Sequence, residues 1–130
     1  MRKPLASPSG RVHMHLVVSD MKTSIDFYTT VLGFVYDHGV REMAWLVRGE
    51  LLLTLSPGLP AQGTAAYFGW TVGSAEDLDR LYERLHARGH RLSEPPDPQA
   101  GQHWFFLYDP DSHPICFSVD LLENPLRSER

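Results

Sequence analysis

The order strand-helix-strand-strand-strand occurs twice along the chain, and this repeat limits the folds that are open to it. When the two copies are aligned, Val18 matches Val72 and residues 27–28 match residues 81–82. A single copy, with four strands and one helix, leaves one face of its sheet uncovered, so two copies are needed to enclose a site. We therefore predict an α+β protein of two tandem βαβββ modules that form an open, incomplete barrel around a concave site.

The first module is predicted over residues 11–56. An apolar, Val-rich run at 11–19 is typical of a strand. Asp20 is a suitable N-cap for the helical stripe that follows it, and Gly33 stands where that helix should end. Three short strands complete the module, and they are predicted at residues 34–40, 43–48 and 51–56.

The second module is predicted over residues 66–120, after a linker at 57–65. Ser74 and Gly89 are the expected first and last boundaries of its helix. Its four strands are predicted at residues 67–72, 90–92, 104–108 and 114–119. The Pro-rich segment 94–101 is predicted to be irregular, residues 109–112 to form a tight turn, and residues 1–10 and 121–130 to be flexible tails.

Length and charge exclude several function classes. The chain has 130 residues, the size of one domain, and its net charge of -4 with no basic run argues against a nucleic-acid partner. Cys116 is the only cysteine, so a disulfide framework is excluded and a cytoplasmic, reducing location is expected. There is no apolar run of about 20 residues and no signal-peptide core, so no membrane span is expected.

Two segments carry a resemblance to a known family. The opening, HMHLVVSDMKTSIDFY at residues 13–28 with VLGF at 31–34, is similar to the start of the vicinal oxygen chelate superfamily. The closing DPDSHPICF at residues 109–117 resembles the last hairpin of that family. The superfamily includes glyoxalase I, bleomycin-resistance proteins, fosfomycin-resistance enzymes and extradiol dioxygenases. The resemblance extends over residues 12–120 and implies the paired-module fold, while leaving the activity open.

The resemblance also implies which positions would hold a metal. Metal-dependent members carry His or Glu ligands on the first and last strands of each module, where the ion polarises substrate oxygens. This chain has His13 at the first of these positions and Thr54, Tyr67 and Cys116 at the other three. Because this donor set matches the usual divalent ions poorly, no metal cofactor is expected.

A His-x-His pair at the start of the chain leaves alternatives open. His13 and His15 are two residues apart, so on a strand both point to the same face. They are expected to be polar residues lining the cavity, with an unorthodox metal site as the alternative. Such a site needs a third ligand, for which the chain offers His38, His103 and His113. His113 is itself predicted to be solvated in its turn, and His86 and His90 to be structural.

Strand alternation predicts which side chains line the cavity. The predicted cavity faces of four strands comprise His13, His15 and Val17; Leu52, Thr54 and Ser56; Tyr67, Gly69 and Thr71; and Pro114, Cys116 and Ser118. Resemblance to the fosfomycin-resistance branch adds Trp45, Trp104 and Phe106. Phe68 and Trp70 are predicted to face the helix side of their sheet.

Two functions follow from this lining. The first is a bleomycin-resistance-like protein, usually a homodimer, that binds a planar, largely apolar small molecule such as an antibiotic without a metal. The predicted ligand-binding residues are His13, His15, Trp45, Leu52, Thr54, Tyr67, Trp104, Phe106 and Cys116. The alternative is a lyase, isomerase, cyclase or dioxygenase of the same superfamily. It would use His13 or His15 as general base with Tyr67 as acid, or place the two histidines in a non-standard metal site.

Overall fold

A computed structural model describes residues 5–6, 10–61 and 66–120. The chain divides into two compact units, Met1–Gln62 and Gly63–Arg130, and each is described by itself. Most of the predicted N-terminal tail, and all of the predicted C-terminal tail at 121–130, lie outside the described residues. No helix in the described part of the chain is long and apolar enough to cross a membrane.

Unit 1 is a four-stranded sheet with one helix. Its elements are β1 (Val12–Val18), α1 (Met21–Thr30), β2 (Val35–Val40), β3 (Met43–Arg48) and β4 (Leu51–Pro57). The strand order is β1-β4-β3-β2, with β1 parallel to β4 and the other neighbours antiparallel. The predicted elements of the first module are therefore confirmed, except that β4 extends to Pro57, which the sequence assigned to the linker.

Helix α1 begins and ends where its sequence predicts. The Asp20 carboxylate accepts a hydrogen bond from the Thr23 amide at 3.0 Å, which satisfies one of the free N–H groups of the first turn. The same hydrogen bond lowers the pKa of Asp20. After the helix, Gly33 adopts φ +74°, and the Phe34 amide bonds back to the Tyr28 carbonyl at 3.0 Å.

One face of the unit 1 sheet is covered by α1 and forms the core. Tyr28 is fully buried, and its ring meets Phe34 edge to face at 5.7 Å between centroids. The buried strand residues on this side are Val18, Ala44, Leu46, Leu53 and Leu55. Because side chains alternate along each strand, the residues between them lie on the opposite face, where the predicted site residues are found.

Unit 2 has the same order of strands and helix as unit 1, except that the first strand after its helix is reduced to a single bridge. Its elements are β5 (Phe68–Val72), α2 (Ala75–Ala87), β6 (Trp104–Tyr108) and β7 (Pro114–Val119), and its sheet has the order β5-β7-β6. Strand β5 is parallel to β7, as β1 is to β4. We find no full strand at 90–92, where one is predicted. A single bridge joins Leu92 to Leu107, held by backbone hydrogen bonds at Arg91 and Ser93.

The chain leaves the sheet after Ser93 because prolines follow, and proline cannot donate a backbone hydrogen bond to a neighbouring strand. The predicted irregular segment also contains one regular turn, a 3-10 helix at Pro98–Ala100, in which the Asp97 carboxylate accepts a hydrogen bond from the Ala100 amide. The prediction of an entirely irregular loop is wrong at these three residues. Pro98 suits this position because its fixed φ fits the first turn of a helix.

Helix α2 covers the core of unit 2. The Ser74 hydroxyl caps it by accepting from the Asp77 amide at 3.1 Å, and Gly89 follows its end with φ +79°. Aromatic rings pack beneath the helix, with Phe105 lying 5.0 Å from Tyr82 and 5.5 Å from Phe117 between centroids. The Tyr82 hydroxyl donates to the Ser93 carbonyl at 2.8 Å, which ties the helix to the segment after it.

The turn between β6 and β7 contains a buried hydrogen bond between aspartate and histidine side chains, and here the sequence prediction is wrong. His113 is buried rather than solvated, and its Nδ1 lies 2.7 Å from Oδ2 of Asp109, which is 2% exposed. The other carboxylate oxygen of Asp109 accepts from the backbone amides of Asp111 and His113 at 2.9 and 2.8 Å. The buried Asp109 carboxylate thus holds the turn through these hydrogen bonds, and the His113 imidazole is buried because it contacts the same carboxylate.

Candidate functional site

In unit 1 the predicted site residues lie in two neighbouring rows that run across the open face of the sheet. One row contains His15, Thr54 and Trp45, which are directly paired on adjacent strands. The other contains His13 and Leu52. Paired residues on neighbouring strands point to the same face, so these five side chains share one surface.

The two histidines of this surface differ in their surroundings. The Nε2 atom of His15 lies 2.7 Å from the Ser56 hydroxyl, which orients its ring. Both histidines are exposed, whereas Thr54, which pairs with His15 from the neighbouring strand β4, is buried. The pair therefore presents two accessible imidazoles beside a small hydroxyl group.

His38 extends the first row, and the sequence did not place it there. Its ring stacks on Trp45 with 4.7 Å between centroids and 2° between planes, and its Nδ1 lies 2.6 Å from the Asp37 carboxylate. The pairing of β2 with β3 shifts its register between Tyr36 and His38, and this irregularity brings the Asp37 and His38 side chains together. His38 is three strands away from His15, roughly 14 Å at about 4.8 Å per strand, which is too far to share a metal ion.

In unit 2 the other predicted residues line a pocket of about 470 Å³. The pocket occupies the face of the sheet opposite α2, and its size is within the roughly 300–1,000 Å³ of small-molecule sites. The lining residues are Tyr67, Phe68, Gly69, Trp70, Thr71, Trp104, Phe106, Cys116 and Ser118. All four site residues predicted for this module, namely Tyr67, Trp104, Phe106 and Cys116, are brought together here.

Aromatic rings form the walls of this pocket. Tyr67 is 58% exposed and meets Phe106 edge to face at 5.1 Å between centroids, and Trp104 is 43% exposed. Phe68 and Trp70 also border the pocket, but Trp70 stacks on the core residue Phe117 at 6.0 Å, as expected for the helix side. Exposed aromatic faces beside hydroxyl groups suit the stacking of a flat ligand.

The floor of the pocket is a row of three residues across the sheet, in which Gly69 and Phe106 flank Cys116. A Cβ atom at Gly69 would overlap the backbone of Cys116, so only glycine allows β5 and β7 to approach this closely. Burial raises the pKa of the Cys116 thiol above its ordinary value.

The residues at the family's metal positions do not fit a divalent ion. The thiolate, not the thiol, is the form that binds a metal, and burial raises the pKa of Cys116, so a metal ion at this sulfur has to offset a larger cost of deprotonation. Its neighbours in the pocket are hydroxyl groups and aromatic rings. Among the described residues, no three His, Cys, Asp or Glu side chains converge into a group that could hold a metal ion.

Comparison with known proteins identifies the family. The model of the Glyoxalase/Bleomycin resistance protein/Dioxygenase superfamily matches residues 10–117. The chain belongs to this superfamily. The match includes the unit 1 sheet with its histidine pair and all of the unit 2 sheet and pocket except residues 118–119, so the α+β fold predicted from the tandem repeat is confirmed.

Sequence identity to the individual proteins compared is 28% or lower. The chain is 28% identical over 116 residues to the glutathione transferase FosA of Serratia marcescens, covering 85% of this chain and 80% of that protein. A structure of a possible glyoxalase from Bacillus cereus has a TM-score of 0.69 at 25% identity, covering 86% of this chain and all of the other.

The fosfomycin resistance protein FosX from Listeria monocytogenes has the same fold. Its structure complexed with Mn(II) and sulfate has a TM-score of 0.75 at 21% identity, covering 95% of this chain and all of the other. At this identity the likeness shows the fold alone.

Proposed function

We propose that this protein binds a planar, largely apolar small molecule, of the kind found among antibiotics, and that it does so without a divalent metal. The observation that carries the proposal is the pocket of unit 2, where Tyr67 and Cys116 occupy metal positions of the family among exposed aromatic rings. A phenol and a protonated thiol are poor ligands for a hard ion, but they are compatible with a flat apolar ring.

Binding would use the rings as walls and the hydroxyl groups as orienting contacts. Trp104 and Phe106 lie on β6, and Tyr67 stands at the start of β5 against the Phe106 ring. Thr71 and Ser118 supply hydroxyl groups that can donate or accept a hydrogen bond. A ligand buried between aromatic faces gains apolar contact area, and one or two such hydrogen bonds set its orientation.

The proposal is tested by thermal unfolding in the presence of planar aromatic antibiotics, with and without EDTA. A compound at about 100 times its Kd stabilises the folded protein by about 2.7 kcal/mol, which is a readily measured rise in Tm. We expect the rise to persist in EDTA, to be lost in Trp104→Ala and to be largely kept in Trp104→Phe. Stoichiometric metal on the purified protein, together with loss of binding in EDTA, would contradict the proposal.

One observation favours a second function. The hydrogen bond between His15 Nε2 and Ser56 holds an exposed imidazole in a fixed orientation, which is what a general base requires. If the protein is an enzyme of this kind, a bound compound is chemically altered, and His15→Gln abolishes turnover while leaving binding in place. Recovery of the intact ligand after prolonged incubation, checked by mass spectrometry, supports the binding function instead.

A further inference from the structure

Among the described residues, none that lines the pocket of unit 2 carries a charged side chain. Its nine lining residues are aromatic, hydroxyl-bearing, a glycine and a cysteine, and none is Lys, Arg, His, Asp or Glu. A ligand that brings a formal charge into this pocket therefore finds no side-chain counter-ion there. An unpaired charge that loses its water is strongly disfavoured, whereas a neutral ring loses little.

The aromatic walls of the pocket disfavour a negative charge more than a positive one. The face of an aromatic ring carries partial negative charge and its edge partial positive charge. Tyr67 and Phe106 meet edge to face, so one positive edge is already used within the pair. Exposed ring faces repel anionic groups, and the lining offers them neutral donors, namely the hydroxyls of Tyr67, Thr71 and Ser118 and the tryptophan indole N–H groups.

The surroundings of the pocket floor also shift the pKa of the Cys116 thiol. Desolvation raises the pKa of Cys116, which means that a negative charge placed at this sulfur is less stable than in water. Burial beside this sulfur thus disfavours a negative charge on the pocket floor. This effect agrees with the absence of positive side chains from the lining.

We propose that the pocket selects uncharged planar ligands and rejects anions built on the same ring system. This inference rests on the proposed function, because it names the charge class of the ligand that the same pocket takes. The discrimination comes from the lining of the pocket and not from its size, so two ligands of equal shape that differ only in charge are separated.

The test compares 2-naphthalenemethanol with 2-naphthoate, which share a ring system and differ in charge at pH 7.5. Binding to the full-length protein is measured by isothermal titration calorimetry and by quenching of tryptophan fluorescence. We expect the naphthoate to bind at least about tenfold more weakly than the alcohol. Equal affinities would overturn this inference and leave the proposed function standing. Failure of both compounds and of the antibiotic panel to bind would count against the proposed function itself.

A charge-inserting variant shows whether electrostatics causes the discrimination. Thr71 is exposed at the rim of the pocket and pairs with Ser118 on the neighbouring strand, so a longer side chain is tolerated there. Thr71→Lys supplies a counter-ion and is expected to reduce the ratio of the two affinities by about tenfold. Thr71→Gln, similar in reach but uncharged, should keep the original ratio. An identical ratio in the two variants would contradict the electrostatic origin of the selectivity.

Discussion

At the scale of the residue, folding removes two small side chains from water, one completely and the other in part. Ser24 is fully buried on α1, and its hydroxyl has no hydrogen-bond partner among the described residues. Cys116 is partly buried on the pocket floor, and its pKa is raised by that burial. Burial disfavours the unpaired Ser24 hydroxyl and the charged form of Cys116, and each effect has a measurable consequence.

Replacing Ser24 with alanine should stabilise the protein. The hydroxyl loses its water on folding and gains no hydrogen bond in return, so its removal is expected to raise the free energy of unfolding by about 1 kcal/mol. Urea denaturation followed by circular dichroism measures this. Ser93→Ala is the matched control, because that hydroxyl accepts from the Phe106 amide at 2.8 Å and its loss should destabilise. A destabilised Ser24→Ala would show that the hydroxyl is satisfied.

The Cys116 thiol should react with iodoacetamide only at alkaline pH. Because burial raises its pKa, the thiolate needed for alkylation forms at higher pH than in the same protein unfolded in urea. The sign for stability follows: the contribution of the protonated thiol is complete below the unfolded pKa and is lost as pH rises through the folded pKa. A titration midpoint equal to that of the unfolded protein would contradict the burial.

At the scale of the element, the β5-β7 pair and the β6-β7 turn determine the shape of the pocket. Gly69 allows β5 to approach β7 at Cys116, and Asp109 holds the turn from which β7 departs. Each is a single residue whose loss displaces a whole strand. Their substitution should therefore affect both stability and the pocket.

Gly69→Ala is expected to destabilise the protein by about 3 kcal/mol or more, because the new methyl group overlaps backbone that cannot rotate away. Gly73→Ala is the control in the same unit, since its Cβ would meet only the Asp77 carboxylate at an ordinary 3.6 Å. Thermal unfolding of the two variants gives the comparison. Similar Tm values for both would show that β5 and β7 are less closely packed at Gly69 than described.

Asp109→Ala should cost about 3 kcal/mol, because it leaves the buried His113 amide, the part-buried Asp111 amide and the His113 imidazole without their partner. Asp26→Ala is a suitable control, since Asp26 is an exposed partner of Lys22 and its loss should change little. Chemical denaturation of the two variants measures the difference. Equal stabilities would mean that the turn holds without its aspartate.

At the scale of the whole molecule, exposed apolar side chains point to self-association. Among the described residues the exposed large apolar side chains include Val12, Val35, Val40, Tyr67 and Trp104. Apolar surface left in water favours contact with another surface, and a homodimer is the expected state. Light scattering coupled to size exclusion should give twice the chain mass of 14.7 kDa. A mass of one chain at every concentration would contradict the dimer.

The elements with a strong periodic signal could be predicted from the sequence. Both helices have an N-cap side chain and a following glycine within one local stretch, so their ends depend on neighbouring residues alone. Strand alternation likewise predicted that Tyr67 and Cys116 lie on the cavity faces of their strands, since that depends only on the two-residue period, whereas Phe106 was added by the family resemblance. The predicted strand at 90–92 was wrong because its extent depends on how much of β6 is available to pair with it.

The sequence by itself determined the repeat, the helix boundaries, the family and the identity of the residues at the metal positions. These features depend on local periodicity, on capping chemistry and on which side chain is encoded where. Only the tertiary structure decided that His113 turns inward onto Asp109, that His38 stacks on Trp45, and that Gly69 is the point of closest strand approach. Each of these depends on packing and register between parts of the chain, and no local pattern encodes such distances.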